Sequence, residues 1–287
     1  MPTPPNLPPR SDDERRHFLQ LAIGTGFALA VNPVTAATIT TDSTDLTAGP
    51  VGIPVKDETL PAYMARPAHS KGALPVILVV QEIFGVHEHI QDLCRRLAKA
   101  GYLAIAPELY FRQGNPREYT STEELVTKLV SQVPDQQVIQ DLDATLTWSR
   151  SHGGDAERSA ITGFCWGGRI VWLYAAHTSS IKAGVAWYGR LNAGSSAMTP
   201  KHPLDLADQL KAPVLGLYGG LDNSIPLDTV KEMQNRLAKV GSPSRLIVYP
   251  NAGHGFNADY RPGYNADAAH DGWGKMLAWF AEHGVKP

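Results

Sequence analysis

With 43% hydrophobic and 19% charged residues, the 287-residue chain has the balance of an ordinary soluble globular protein, long enough for one large α/β domain or two small ones. A formal charge of -2 offers nucleic acid no basic field and a membrane surface no strong pull, and two cysteines, Cys94 and Cys165, are too few for a disulfide scaffold. No uninterrupted apolar stretch reaches the eighteen or so residues of a membrane span, so no stable membrane anchor is expected.

The first forty residues differ from the rest. A Pro-rich start leads into Arg15-Arg16-His17-Phe18-Leu19, then an apolar run from Leu21 to Val31, then small residues around Ala36 and Ala37. A charged start, a short apolar run and a small-residue exit describe an export signal over residues 1–36. The pattern is similar to a twin-arginine signal, which implies the twin-arginine export machinery as a partner and a periplasmic or secreted protein. Glu14 stands where Ser or Thr is usual, and Asp12, Asp13 and Glu14 offset Arg10, Arg15 and Arg16. The alternative is a disordered or weakly helical extension on a cytoplasmic enzyme. Residues 37–50 are expected to be a flexible lead-in to a single domain over 51–287.

Within that domain the elements alternate. Gly52–Val55 and Leu60–Arg66 read as strands, and Pro75–Gln81, apolar on both faces, as a central strand of a parallel sheet. His89–Ala100 follows as a helix, with Ile90, Leu93, Cys94, Leu97 and Ala98 on one stripe and Arg95, Arg96 and Lys99 on the wet face. Then come strand Tyr102–Ala106, helices Thr122–Val133 and Val138–Ser151, strand Ser159–Gly163 and helix Gly167–His177. Strands Ala183–Tyr188 and Pro213–Tyr218, helix Leu227–Val240, strand Arg245–Tyr249 and helix Ala266–His283 complete the chain. Strands alternating with helices call for one mostly parallel sheet of about eight strands with helices on both faces.

The segment Gly163-Phe164-Cys165-Trp166-Gly167 carries the most chemistry. It joins a strand to a helix and has the form of a nucleophile elbow, G-x-S-x-G, with Cys in the Ser position. Gly on both flanks relieves clashes in the strained turn, which lifts the sulfur above the sheet at a helix N-terminus. Partial positive charge there favours a thiolate. Taken alone, Cys165 could be a small buried hydrophobe. Two partners follow in the order this elbow requires, acid then histidine: Asp222 in the loop after Pro213–Tyr218, and His254 in the glycine-lined loop after Arg245–Tyr249. An Asp in a turn ordinarily caps a helix, and a loop His is ordinarily solvated. All three in order, each at a strand end, favour a triad. His87-Glu88-His89 does not read as a metal site, because residues two apart on a helix do not share a face; neither metal nor cofactor is called for. Cys94 packs on the apolar stripe of its helix.

These motifs together resemble the dienelactone hydrolases, members of the α/β-hydrolase superfamily. The resemblance runs from about Val51 to the C-terminus. It rests on Gln81-Glu82-Ile83-Phe84-Gly85, Ala106-Pro107-Glu108-Leu109-Tyr110, the Cys165 elbow, the Asp222 loop and Gly253-His254-Gly255-Phe256. It implies a lactone or carboxylic ester as substrate and attack by Cys165 to give a thioester, with His254 handling protons and Asp222 orienting it. It implies that Glu82 contacts the thiol and accepts its proton when substrate enters, and that the backbone N–H groups of Ile83 and Trp166 hold the oxyanion. By the same resemblance Arg112 grips a substrate carboxylate, with Tyr110 contributing to the pocket. A second gripping arginine is implied four residues after the histidine; that position is Ala258, with Arg261 nearby.

Hydrolysis of a dienelactone-like ester by a monomer is the expectation. A broader carboxylesterase on the same machinery is the first alternative. A binding protein that has lost activity is opposed by the intact set of Glu82, Cys165, Asp222 and His254. A thiol redox protein is opposed by the lack of a resolving cysteine or C-x-x-C motif.

Overall fold

The computed structural model describes residues 39–287 apart from Asp57; the expected export segment 1–36 lies outside them. Eight strands form one sheet: β1 (Leu46–Val55), β2 (Glu58–Pro67), β3 (Leu74–Val80), β4 (Leu103–Pro107), β5 (Gly154–Phe164), β6 (Ala183–Trp187), β7 (Val214–Gly219) and β8 (Arg245–Tyr249). Their order is β1-β2-β4-β3-β5-β6-β7-β8. From β4 to β8 every pairing is parallel, while β1 and β2 form an antiparallel hairpin added to the β4 side.

Strand β3 is buried from Pro75 onward, and β4 and β6 throughout, so side chains on both faces are covered. The cover comes from α1 (Glu88–Lys99), α2 (Thr122–Lys128), α3 (Asp135–Ser149), α4 (Trp166–His177), α5 (Leu227–Lys239) and α6 (Ala266–Glu282). Parallel strands need such crossover helices, and the expected alternation of the chain supplies them. The architecture is an α/β-hydrolase fold, with the carboxyl ends of β3, β5, β6, β7 and β8 opening on one edge.

Three local expectations are corrected. Residues 46–50, expected to be flexible, belong to β1, and the stretch before them is tied to α1: Arg95 Nε donates to the Thr41 carbonyl at 2.9 Å and Lys99 Nζ to that of Thr44 at 2.7 Å. Gly49 and Pro50 suggest a loop, but β1 is an edge strand, where proline is tolerated. Arg95, expected on the wet face of α1, is 6% exposed, because this N-terminal stretch lies over it. Its guanidinium also donates to Glu88, Asp92 and the Tyr63 hydroxyl. The helix expected through Val133 ends at Lys128 and continues as a 3₁₀ turn, Val130–Gln132; α3 then begins at Asp135, three residues earlier than its apolar pattern suggests. Cys94 packs on the stripe as expected, fully buried, and burial pushes its thiol pKa well up.

Candidate active site

Cys165 lies between the end of β5 and the start of α4 with φ of 56°, in a region that L residues seldom adopt. The turn closes because its flanks are bare. A Cβ on Gly163 would stand 2.4 Å from the Gly167 carbonyl oxygen, and one on Gly167 2.5 Å from that of Val80. The Cys165 N–H donates to Trp187 on β6, and its carbonyl accepts from Gly168 and Arg169. The elbow is thereby fixed to the neighbouring strand and to the helix it begins.

Asp222 follows β7 and His254 follows β8, so three neighbouring loops bring the predicted triad together. His254 Nδ1 is 2.7 Å from Asp222 Oδ2, and both side chains are almost entirely buried. The His254 ring is near enough to the Cys165 sulfur to sense its charge, and Nδ1 is occupied by Asp222. Burial alone would lower the imidazole pKa, but the neighbouring sulfur and the bond to Asp222 outweigh it and push the pKa up to about 10. Burial would likewise raise Asp222, yet the bonds from His254 and Ser224 hold its carboxyl below the usual range.

Ser224 was not foreseen. Its Oγ donates to Asp222 Oδ1 at 2.6 Å, its N–H donates to the same oxygen at 2.8 Å, and Oγ is also 3.1 Å from His254 Nδ1. The spacing Asp-x-Ser, in which a carboxylate caps an N–H two residues on, was the available signal.

Cys165, His254, Ile83 and Trp166 all line one cavity of about 290 Å³. Val126 and Val130, from α2 and the turn after it, also line it, as do Tyr188, Arg190, Arg169 and His202. Trp166 is the first residue of α4, and Ile83 follows β3, so the two proposed oxyanion donors arrive from neighbouring parallel strands. Tyr110 is fully buried behind this wall, its ring edge-on to Trp166 at 4.9 Å between centroids.

Glu82 departs from expectation. It is fully buried at the end of β3, but Oε2 accepts from the Tyr260 hydroxyl at 2.5 Å and Oε1 has no hydrogen-bond partner. Arg261 Nη2 is 3.8 Å away and His87 Nε2 3.5 Å. The contact with the thiol is therefore not made; tyrosine, imidazole and guanidinium hold the carboxylate instead. Burial would raise the Glu82 pKa, but Arg261 foremost and then His87 depress it well below the carboxylate range. Burial keeps the pKa of His87 down despite this contact, while His89 pairs with Asp259 at 3.2 Å. Arg261 is buried against Phe84 and Tyr260 and near enough to sense Cys165, but it serves Glu82 and is not on the cavity wall. Ala258 is fully buried.

Arg112 is a plain correction. Its two Nη atoms reach the Asp141 carboxylate at 2.7 and 3.1 Å and its Nε reaches Glu58 at 2.6 Å. It lines a separate depression with Glu58 and Asp141, so a guanidinium expected at the substrate is committed to two carboxylates elsewhere. Arg190 and Tyr188, beyond the end of β6, are among the cavity residues that sequence reasoning missed. Nothing in the local pattern flagged them, since a strand end alone does not mark which side chain enters a cavity.

The dienelactone hydrolase family model matches residues 60–284. A Salmonella typhimurium protein named "Putative carboxymethylenebutenolidase" is 56% identical over 261 residues, spanning 91% of this chain and 97% of that protein. A Bradyrhizobium protein named "Probable 2-oxo-3-(5-oxofuran-2-ylidene)propanoate lactonase" is 32% identical, over 81% of this chain and 93% of its own. The crystal structure of a "Putative Dienelactone Hydrolase" from Klebsiella pneumoniae superposes with a TM-score of 0.82 at 59% identity, covering 83% of this chain and 99% of that one. The chain is a hydrolase and belongs to the dienelactone hydrolase family.

Proposed function

We propose that the chain hydrolyses a lactone or related carboxylic ester by covalent catalysis at Cys165, with His254 and Asp222 completing a triad. The observation that carries this reading is the imidazole held between the Asp222 carboxylate and the Cys165 sulfur at the crest of a strained turn. The sulfur attacks the substrate carbonyl with its proton already held by His254, whose raised pKa keeps the imidazole protonated near neutrality. Ile83 and Trp166 N–H groups receive the charge that develops on the carbonyl oxygen, from positions already fixed before substrate arrives. The tetrahedral adduct collapses to a thioester, and His254 returns the proton to the departing alkoxide, which in a lactone stays tethered as the new alcohol end. Water, deprotonated by His254, then cleaves the thioester and frees the acid and the thiol. Asp222 keeps Nδ1 protonated, so Nε2 serves as the working base throughout.

In this structure Glu82 belongs to the surroundings of the site. Its charge balances Arg261 and its hydroxyl partner is Tyr260. A panel of small lactones and activated aryl esters, offered to the native enzyme and to Cys165→Ala, tests the reading. The native enzyme turns over at least one, and the variant loses at least about 1,000-fold in kcat. A fully active variant refutes cysteine catalysis.

A further inference from the structure

Between β6 and the 3₁₀ turn Pro203–Leu206, residues 188–202 run without regular secondary structure, and Ala193, Thr199 and His202 of this stretch line the Cys165 cavity. Its outer part, residues 192–197, is a row of small, exposed side chains. They bury too little apolar surface to fix a loop, so polar ties decide where it lies. Ser196 bonds to Thr199 within the loop, and the Asp135 N–H donates to the Met198 carbonyl at 2.9 Å. Residues 192–195 are tied through His202, whose Nε2 lies 3.3 Å from the Gly194 carbonyl oxygen.

The other ring nitrogen fixes the protonation state. Arg169 Nε donates to His202 Nδ1 at 3.2 Å, and a guanidinium has donors only, so Nδ1 is a bare acceptor. The imidazole is therefore neutral, with its one N–H on Nε2 to give to Gly194. Arg169 is itself held by Asp135, which accepts from both Nη atoms at 2.7 and 2.8 Å, and by the Lys201 carbonyl at 2.8 Å.

We propose that His202 is a positioning residue of the Cys165 cavity: its neutral ring, set between Arg169 and the Gly194 carbonyl, holds residues 192–197 in place as a wall, and protonation of the ring releases that wall. This rests on the Cys165 cavity being where substrate is held. A proton added at Nδ1 would set N–H against N–H, and two positive charges side by side, across a gap of 3.2 Å. Burial and Arg169 oppose the charged ring and keep its pKa below the usual imidazole range. Asp135 and Asp205, whose carboxylate accepts the His202 backbone N–H at 2.8 Å, favour the charge but do not prevail. Arg236 of α5 reaches the same turn and donates to the Leu204 carbonyl at 3.0 Å, while Cys165, Arg190 and His254 share the cavity lining with the ring. The wall is thus latched above about pH 6.5, where even a free imidazole is neutral, and loosens as the pH falls below that value.

The test separates the bond from the charge. His202→Gln keeps an acceptor for Arg169 and a donor for Gly194 on a side chain that does not titrate; His202→Leu keeps neither bond. With a neutral aryl ester and the full-length enzyme at about pH 8, His202→Leu raises KM about fivefold while kcat falls by less than about twofold, and His202→Gln restores the native KM. Lowering the pH to about 5 raises the native KM about fivefold and leaves that of His202→Gln level, the titration of the triad being common to both. A nitroxide on Ser195→Cys in a Cys165→Ala background follows the wall without catalysis, and its spectrum narrows between about pH 7 and 5. An unchanged KM in His202→Leu, a parallel acid rise in native and His202→Gln, or one nitroxide spectrum at both pH values overturns the proposal. Should His202→Leu give no cooperative melt, the acid rise and the nitroxide decide. Retained turnover in Cys165→Ala would instead refute the nucleophile and leave the nitroxide result standing.

Discussion

Ser224 donates its hydroxyl to Asp222 Oδ1 at 2.6 Å while His254 occupies Oδ2 at 2.7 Å, so the carboxylate is gripped on both oxygens. In Ser224→Ala the backbone N–H bond at 2.8 Å survives, and the fold should too. Losing the hydroxyl weakens the hold on the charged carboxylate and loosens the imidazole. The expected result is a drop in kcat of about tenfold, or about 1.4 kcal/mol, with little change in KM. The low-pH limb of the rate profile should move up, since a bond that depresses the Asp222 pKa has gone. A pH series of steady-state kinetics on both proteins checks the two effects together.

His254 gives stability a definite pH dependence. Its folded pKa, about 10, lies above the unfolded value near 6.5. A raised pKa means the folded form binds the proton more tightly. That contribution is fully present below pH 6.5 and is lost as pH rises through about 10. Because the Cys165 sulfur supplies much of the upward push, Cys165→Ala should titrate His254 at lower pH and flatten the fall in melting temperature above neutrality. Imidazole proton NMR and thermal melts from pH 6 to 10 check both.

Arg112→Ala separates a structural pair from a substrate contact. Asp141 would be left buried, 3% exposed at its side chain, without its two-pronged partner. We expect a loss of about 2 kcal/mol in denaturant unfolding, moderated because Arg112 itself is partly solvated. With the depression it lines distinct from the Cys165 cavity, kcat/KM should stay within about twofold on acidic and neutral esters alike.

Export is tested by mass. If residues 1–36 are a cleaved signal, the protein recovered from the periplasm of an expressing bacterium lacks Met1 through about Ala36. An intact Met1 in that fraction contradicts it.

The sheet was legible in the sequence because its strands are local and apolar on both faces, as in Pro75–Val80. The meeting of the Cys165, Asp222 and His254 loops was legible because the elbow's glycines and the order of the loops are properties of the chain itself. Failures came where distant segments decide. The fate of Arg95 depends on Thr41, 54 positions earlier, and that of Arg112 on Asp141 in α3. Position in a motif indicated where Arg112 stands along the chain, but not which carboxylate reaches it first. Glu82 shows the same limit, because Tyr260 and Arg261 approach from the far end of the domain.

Both cysteines are buried, but Cys94 is sealed in the core with its thiol made harder to ionise, whereas Cys165 borders the cavity. A small maleimide or disulfide reagent should consume a single equivalent of sulfhydryl in the native protein and a second one only after denaturation. The wild-type molecule therefore comes with its own attachment point for a spectroscopic label, needing no engineered residue, and the label would report from the cavity that Cys165 lines.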